Sequence, residues 1–440
     1  MTAFQIYGGI PLQGKVKIQG SKNAALPVLA ATLLIGDECV ICNCPQIIDV
    51  QHMASILTSL GCKVRRREDG YLIDSTQAYC CGMEGEAITG MRSSLCLLGA
   101  MLGRFGEVVM EHPGGCVIGS RPIDLHLKAL REMGVCFTET DGKLTGRVKR
   151  LHGARIHLAF PSVGATENVL LAAVLAEGNT ELVGAAREPE IITLCEFLTA
   201  CGAQIEGTGT SVLQIRGVER LHGVRFRIPA DRIVAGTYLF ACTGCGGNVF
   251  LEEAPWGQME AVIHVAECMG ARCQVSGGRT ECRGYDGKDK CHCGCSLEPE
   301  NGLYVQGPDR PWAIDRLRTA VYPGFPTDLQ SMALAVLTIA SGKSMVEETI
   351  FENRFRVLAP LRSMWADIEL CTPEIAVVRG VPALHGARVE AQELRGGAAL
   401  VIAGLMAEGK SEITGCGYIG RGYENICKDL RDLGARIVSV

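Results

Sequence analysis

Six short segments place polar or charged side chains just ahead of an Ala/Leu-rich helical stretch: Lys22-Asn23, Arg92-Ser93, Ser162-Val163-Gly164, Asp231-Arg232, Thr327-Asp328 and Glu393-Leu394-Arg395. A helix start offers free backbone N–H groups and the positive end of a dipole, so an added Lys or Arg makes it suited to phosphate or carboxylate. Any one segment alone reads as simple capping; their recurrence in register points to anion binding. A second chemistry is suggested by Cys116, set between glycines in Pro113-Gly-Gly-Cys-Val-Ile-Gly-Ser-Arg121. A guanidinium nearby favours the thiolate, hence a nucleophile or proton donor, whereas among twenty-two cysteines a space-filling thiol is the competing reading. Asp328 could cap its helix or take a proton from a bound hydroxyl. Arg354 and Arg421 fall between regular elements, where solvated surface is the alternative to a ligand role.

The elements that must hold these residues recur. An Ala/Leu-rich helix ends at Gly36, Gly106, Gly178, Gly246, Gly342 and Gly409, about 70 residues apart except for one interval of about 96. Each is followed by a β-like run, a second amphipathic helix and another glycine, at Gly61, Gly134, Gly202, Gly270 and Gly434. The fifth unit has Trp365 there, which predicts a different cap. Six such units suggest an α/β protein of two domains with three units each, divided near residue 230. The long interval places an insertion at about 274–310, with Cys282, Cys291, His292, Cys293 and Cys295. Their spacing is not that of a zinc ribbon, so a Cys-rich surface insertion is expected rather than a metal centre. No G-x-G-x-x-G follows an opening strand, which argues against a dinucleotide fold.

With 47% hydrophobic and 21% charged residues the 440-residue chain can bury a large core, and a net charge of −5 disfavours duplex nucleic acid or a polybasic membrane contact. No leader or membrane span is apparent, so a cytoplasmic protein with mostly buried, reduced thiols is expected.

The chain resembles the UDP-N-acetylglucosamine 1-carboxyvinyltransferases (MurA), enolpyruvyl transferases related to the shikimate-pathway enzyme. The resemblance runs from Tyr7 to the carboxyl end. It is carried by Gly20-Ser-Lys-Asn-Ala-Ala-Leu-Pro27, the Cys116 loop through His126, Ala185-Ala-Arg-Glu-Pro-Glu-Ile191, Tyr322-Pro-Gly-Phe-Pro-Thr-Asp-Leu-Gln330, Phe351-Glu-Asn-Arg-Phe355 and Arg421-Gly-Tyr-Glu424. It implies a two-domain inside-out α/β barrel, with one domain from 22–229 and the other from 1–21 joined to 230–440. It further implies phosphoenolpyruvate and the UDP-sugar as partners, no metal or organic cofactor, and a monomer or weak associate.

By resemblance, Lys22, Arg121 and Arg421 hold the phosphate of phosphoenolpyruvate, Arg354 and Arg395 its carboxylate, and Arg92 supports the pocket. Asp328 takes the proton of the sugar 3-hydroxyl, and Cys116 protonates C3 or forms a covalent adduct. Asn23 contacts the sugar, while Arg121, Pro122, Ile123, Asp124, Leu125, Ser162, Val163, Gly164, Ile350 and Phe351 line the UDP-sugar site.

Three departures stand out. Pro45-Gln-Ile-Ile-Asp-Val50 lacks two lysines usual in the family, Ile48 being the conspicuous change. Ile233-Val234 replaces an acidic position, and Gly420 stands where an aspartate commonly precedes the arginine. They leave open a silent UDP-sugar-binding paralogue or transfer to another acceptor.

Overall fold

The computed structural model describes residues 3–111, 123–277 and 301–440. Cys116, Arg121 and Pro122, and the group Cys282, Cys291, His292, Cys293 and Cys295, lie outside the described residues.

The central helices are apolar on nearly every face, which is the pattern of a helix enclosed on all sides. In Lys22–Ile35 every residue but Asn23 is buried, and Leu394–Met406 is buried throughout. Lys22–Ile35, Cys96–Phe105 and Val163–Ala173 pack on one another, as do Arg232–Cys245, Thr327–Leu337 and Leu394–Met406. Contact in the first trio is close enough to require glycine: a Cβ on Gly99 would stand 2.3 Å from the Asn168 carbonyl oxygen. Truncating a central leucine such as Leu400 to alanine would cost about 2–5 kcal/mol.

Sheets cover these helices. Five four-stranded sheets share one plan, a parallel edge pair followed by two antiparallel pairings, as in Arg225–Arg227, Glu38–Cys42, Gly70–Asp74 and Lys63–Arg67. The sixth, built from Glu107–Glu111, Lys143–Arg147 and Cys136–Thr140, has three strands and a single parallel bridge from Met83 to Met110 at its edge. Long-range exchange ties the ends together. Phe4–Tyr7 lies between Lys410–Thr414 and Arg436–Ser439, and Leu12–Lys17 pairs with Gly247–Glu252.

Buried apolar side chains form two cores, one from residues between 24 and 228, the other from residues between 6 and 18 together with 233 to 437. The chain crosses between them twice, and the crossings are bonded to each other: Ser21 N–H donates to the Pro229 carbonyl at 2.8 Å and Asp231 N–H to that of Gln19 at 2.8 Å.

Two sequence expectations need correction. Trp365 does not end its helix differently: its φ of 72° is left-handed like that of Gly61, Gly134, Gly202, Gly270 and Gly434. Its N–H reaches the Arg362 carbonyl as that of Gly61 reaches Thr58. The indole lies 4.3 Å from the His385 ring, a contact available to set against the Cβ strain of this conformation. The insertion is also narrower than 274–310. Arg272–Ser276 and Gly302–Gly307 form an antiparallel ladder, because Leu303 and Val305 are buried in the second core.

Ile233 and Val234 are buried in the same core. Ten of the seventeen described cysteines are buried. Among the described residues no helix is long and apolar enough to cross a membrane.

Candidate active site

Two acids, each gathering two cations, organise the site. The first is Asp49, in the opening turn of Ile48–Ser59 and 1% exposed. It accepts from Arg421 Nε at 2.8 Å and Nη2 at 3.2 Å, and lies 2.6 Å from Lys22 Nζ. Asp49 and Lys22 come from the first core and Arg421 from the end of a 3-10 helix, Cys416–Arg421, in the second. Burial pushes Lys22 below the usual lysine range, only partly opposed by Asp49, with Arg395 and Arg421 lowering it further. Burial works against the Asp49 charge too, but Lys22 and Arg421 hold its carboxyl below the usual carboxylate range.

The second acid is Asp328. It does not cap its helix; Pro326 occupies that position and offers no side-chain bond. Instead its oxygens accept from Arg354 Nη2 at 2.6 Å and Arg395 Nη2 at 2.8 Å. Burial alone would raise its pKa, yet Arg395 and Arg354 overcome this and hold the acid far below its ordinary value. Arg354 is only 2% exposed, which excludes solvated surface as its role, and its Nε donates to the Thr327 carbonyl at 3.2 Å.

A third carboxylate joins the helix starts. Asp231 caps Arg232–Cys245 through Ile233 N–H at 2.7 Å and Val234 N–H at 3.1 Å, and also accepts from Lys22 N–H at 3.0 Å. One aspartate thereby orients two helix amino termini. Glu393 caps the Leu394 helix through Gly396 and Arg395 N–H groups. Asn23 Nδ2 donates to Glu190 at 3.3 Å, and Arg232 Nη2 to the other oxygen of Glu190 at 3.4 Å.

The residues expected to line a sugar-nucleotide site fall in smaller groups. Ile123 precedes the helix Asp124–Glu132, with Asp124 exposed and Leu125 half-buried. That helix meets Ser162, Val163 and Gly164 through His126, whose Nδ1 lies 2.9 Å from Asn168 Nδ2, which also donates to the Gly164 carbonyl at 3.1 Å. Ile350 and Phe351 are held by their N–H groups to buried Glu348, at 2.8 and 3.2 Å, and the Phe351 ring lies 5.7 Å from the Arg354 guanidinium carbon. Arg92 opens a 3-10 helix, Arg92–Leu95, and is half-buried.

Lys22, Asp328, Arg354, Arg395 and Arg421 thus stand in two linked acid-centred clusters. Sequence reasoning missed Asp49, Glu190 and Glu348 as site builders. Asp231 and Glu393 were visible as capping acids; Asp49 and Glu348 carried no comparable local signal.

A model of the EPSP synthase (3-phosphoshikimate 1-carboxyvinyltransferase) family matches residues 6–430. The chain is 42% identical over 441 residues to a UDP-N-acetylglucosamine 1-carboxyvinyltransferase of Nitratidesulfovibrio vulgaris (strain DSM 19637 / Miyazaki F), covering 99% of both chains. It is 43% identical over 440 residues to UDP-N-acetylglucosamine 1-carboxyvinyltransferase 2 of Caldanaerobacter subterraneus subsp. tengcongensis, covering 100% of both. Among solved structures, the enolpyruvyl transferase NikO from Streptomyces tendae superposes with a TM-score of 0.85 at 21% identity, over 100% of this chain and 99% of that one. EPSP synthase from Acinetobacter baumannii gives 0.73 at 18% over 100% of both. These two likenesses show the fold.

Proposed function

The chain belongs to the EPSP synthase (3-phosphoshikimate 1-carboxyvinyltransferase) family, and from that premise we propose that it transfers the enolpyruvyl group of phosphoenolpyruvate to the 3-hydroxyl of UDP-N-acetylglucosamine, releasing phosphate in peptidoglycan precursor synthesis. The observation that carries the reading is the pairing of four cations on two acids. Phosphoenolpyruvate has a phosphate and a carboxylate; Lys22 with Arg421 suits the first, and Arg354 with Arg395 the second.

In this reading the sugar hydroxyl attacks C2 of the enolpyruvyl group as its proton passes to Asp328, while C3 gains a proton from Cys116. The tetrahedral ketal so formed keeps both anionic groups, which the clustered cations stabilise. Loss of phosphate from C2 and of a proton from C3 regenerates the double bond. Asp328 is a weak base while two guanidiniums hold it. As Arg354 and Arg395 turn to the ligand carboxylate, that restraint loosens and its proton affinity rises.

Asn23, with Ile123, Asp124, Leu125, Ser162, Val163, Gly164, Ile350 and Phe351, forms the UDP-sugar side, and Arg92, Arg121 and Pro122 complete the pocket. Six repeated units in two domains, 22–229 and 1–21 with 230–440, would give the inside-out barrel pair; the two separate cores and the shared sheet plan support this division. Both substrates are charged metabolites of the cell interior, so the protein acts in the cytoplasm, as a monomer or weak associate, with no nucleic-acid or membrane partner.

The test is phosphate release from phosphoenolpyruvate by purified protein, with and without UDP-N-acetylglucosamine, beside an Asp328→Ala control. Release that needs the UDP-sugar and collapses in the control is expected. Detectable UDP-sugar binding without release would instead indicate a silent paralogue, and release driven by shikimate 3-phosphate a different acceptor.

A further inference from the structure

Three contacts lie side by side where the start of the Ile48–Ser59 helix, in the first core, meets residues 420–424 of the second. Gln46 N–H donates to Glu424 Oε1 at 2.5 Å, and Asp49 takes the forked bond from Arg421. The Ile48 side chain is directed at Gly420, such that a Cβ on that glycine would stand 3.3 Å from Ile48 Cδ1. Gly420 is not among the residues with left-handed backbone, so a side chain there would meet Ile48 and not backbone strain.

The ion pair beside this contact is the one a phosphate must enter, because Asp49 already shares Arg421 and Lys22. How firmly Asp49 holds them depends on what surrounds the pair: an apolar flank strengthens it and brings no charge of its own to an incoming anion. We propose that Ile48 and Gly420 are a positioning pair that sets the affinity of the phosphate end of the site, by placing an uncharged contact next in sequence to both partners of the Asp49–Arg421 bond at the junction of the two cores. The inference rests on the phosphate reading of Lys22 and Arg421. Its consequence is that phosphoenolpyruvate competes with a tightly held internal carboxylate, so its affinity responds to charge at 48 and 420 while that of the UDP-sugar does not.

The test is steady-state kinetics, with both substrates varied, on wild type, Ile48→Lys, Gly420→Asp and the double variant. Thermal melts would report whether each is folded. Ile48→Lys adds a cation near the phosphate and should lower KM for phosphoenolpyruvate about fivefold, with kcat within about twofold. Gly420→Asp adds a competing carboxylate beside Arg421 and should raise that KM about fivefold; Gly420→Asn, of equal size but uncharged, should raise it less. In the double variant the new charges pair and KM should return close to wild type. KM for UDP-N-acetylglucosamine should stay constant throughout, a selectivity that loosened packing would not produce.

A double variant whose KM for phosphoenolpyruvate stays about fivefold away from wild type, or a UDP-sugar KM that moves in step, would overturn the proposal. Should Gly420→Asp fail to fold, Ile48→Lys alone decides, since an unchanged KM for phosphoenolpyruvate in that variant is equally fatal. Wild-type transferase activity combined with insensitive variants sinks only the positioning pair. Wild type that neither turns over nor binds phosphoenolpyruvate by calorimetry sinks the phosphate reading along with it.

Discussion

Asp328 and Glu167 stand in the early turns of central helices, one in each core, and titrate in opposite directions. Asp328 keeps 28% of its side chain open and faces Arg354 and Arg395, which hold it ionised. Glu167 is enclosed against Cys96, whose Sγ lies 3.0 Å from its Oε2, and burial pushes it up to about 8, with Glu190 and Glu188 adding to the rise. Burial penalises both charges; the partner decides the outcome. Two guanidiniums hold an anion that a ligand carboxylate can replace, whereas burial with no cation beside it among the described residues leaves Glu167 a neutral acid, serving as packing with a hydrogen bond. In the proposed reaction the chemistry belongs to the cation-paired acid of the second core.

The strongest way to break this contrast is to neutralise Asp328. Asp328→Asn keeps the shape, and kcat for phosphate release should fall by about 10²–10⁴, the usual worth of a positioned base; a loss below tenfold would mean that Asp328 is not the base. Removing a cation comes next. Arg354→Ala should lower folding stability by about 3 kcal/mol in denaturant titrations, because it leaves a desolvated charge with half its compensation. Unchanged stability would show that Arg395 alone suffices.

Glu167→Gln tests the other acid. The folded-state pKa lies above the unfolded value, so the folded protein holds a proton that the unfolded chain has released between about pH 4.5 and 8. Wild-type stability therefore falls across that window, and the substitution should gain a few kcal/mol at most at pH 8 and almost nothing near pH 4. A gain that does not vary with pH would refute the neutral-acid assignment.

The smallest effect concerns Lys22, which shares Asp49 with Arg421. Its lowered pKa places the alkaline decline of kcat/KM below pH 10.5, and Lys22→Arg should move that limb upward whatever its absolute rate. A limb unmoved by the change would belong to another group.

Much of this was legible locally. Gly36, Gly106 and Gly246 directly end their helices with positive φ, as backbone sterics predict, whereas Gly178, Gly342 and Gly409, also at positive φ, lie three to five residues past the helices that end at Ala173, Leu337 and Met406, in the turns before the next strands. Trp365 was misread because its ring-contact partner His385 is twenty residues away and offers no local pattern. The cations were legible as charges at helix starts, but their grouping was not. Nothing near Asp49 in sequence indicates Arg421, 372 residues away, and an aspartate in a first helical turn ordinarily needs no partner beyond the helix.

The sequence by itself determined the periodic elements, the apolar central helices, and the side chains able to bind an anion or move a proton, since these depend on residue type and short spacing. Only the tertiary structure decided which acid holds which cations, which carboxylate stays charged, and that Ile48 meets Gly420. Those outcomes depend on distances across two cores and on how far each charge is removed from water.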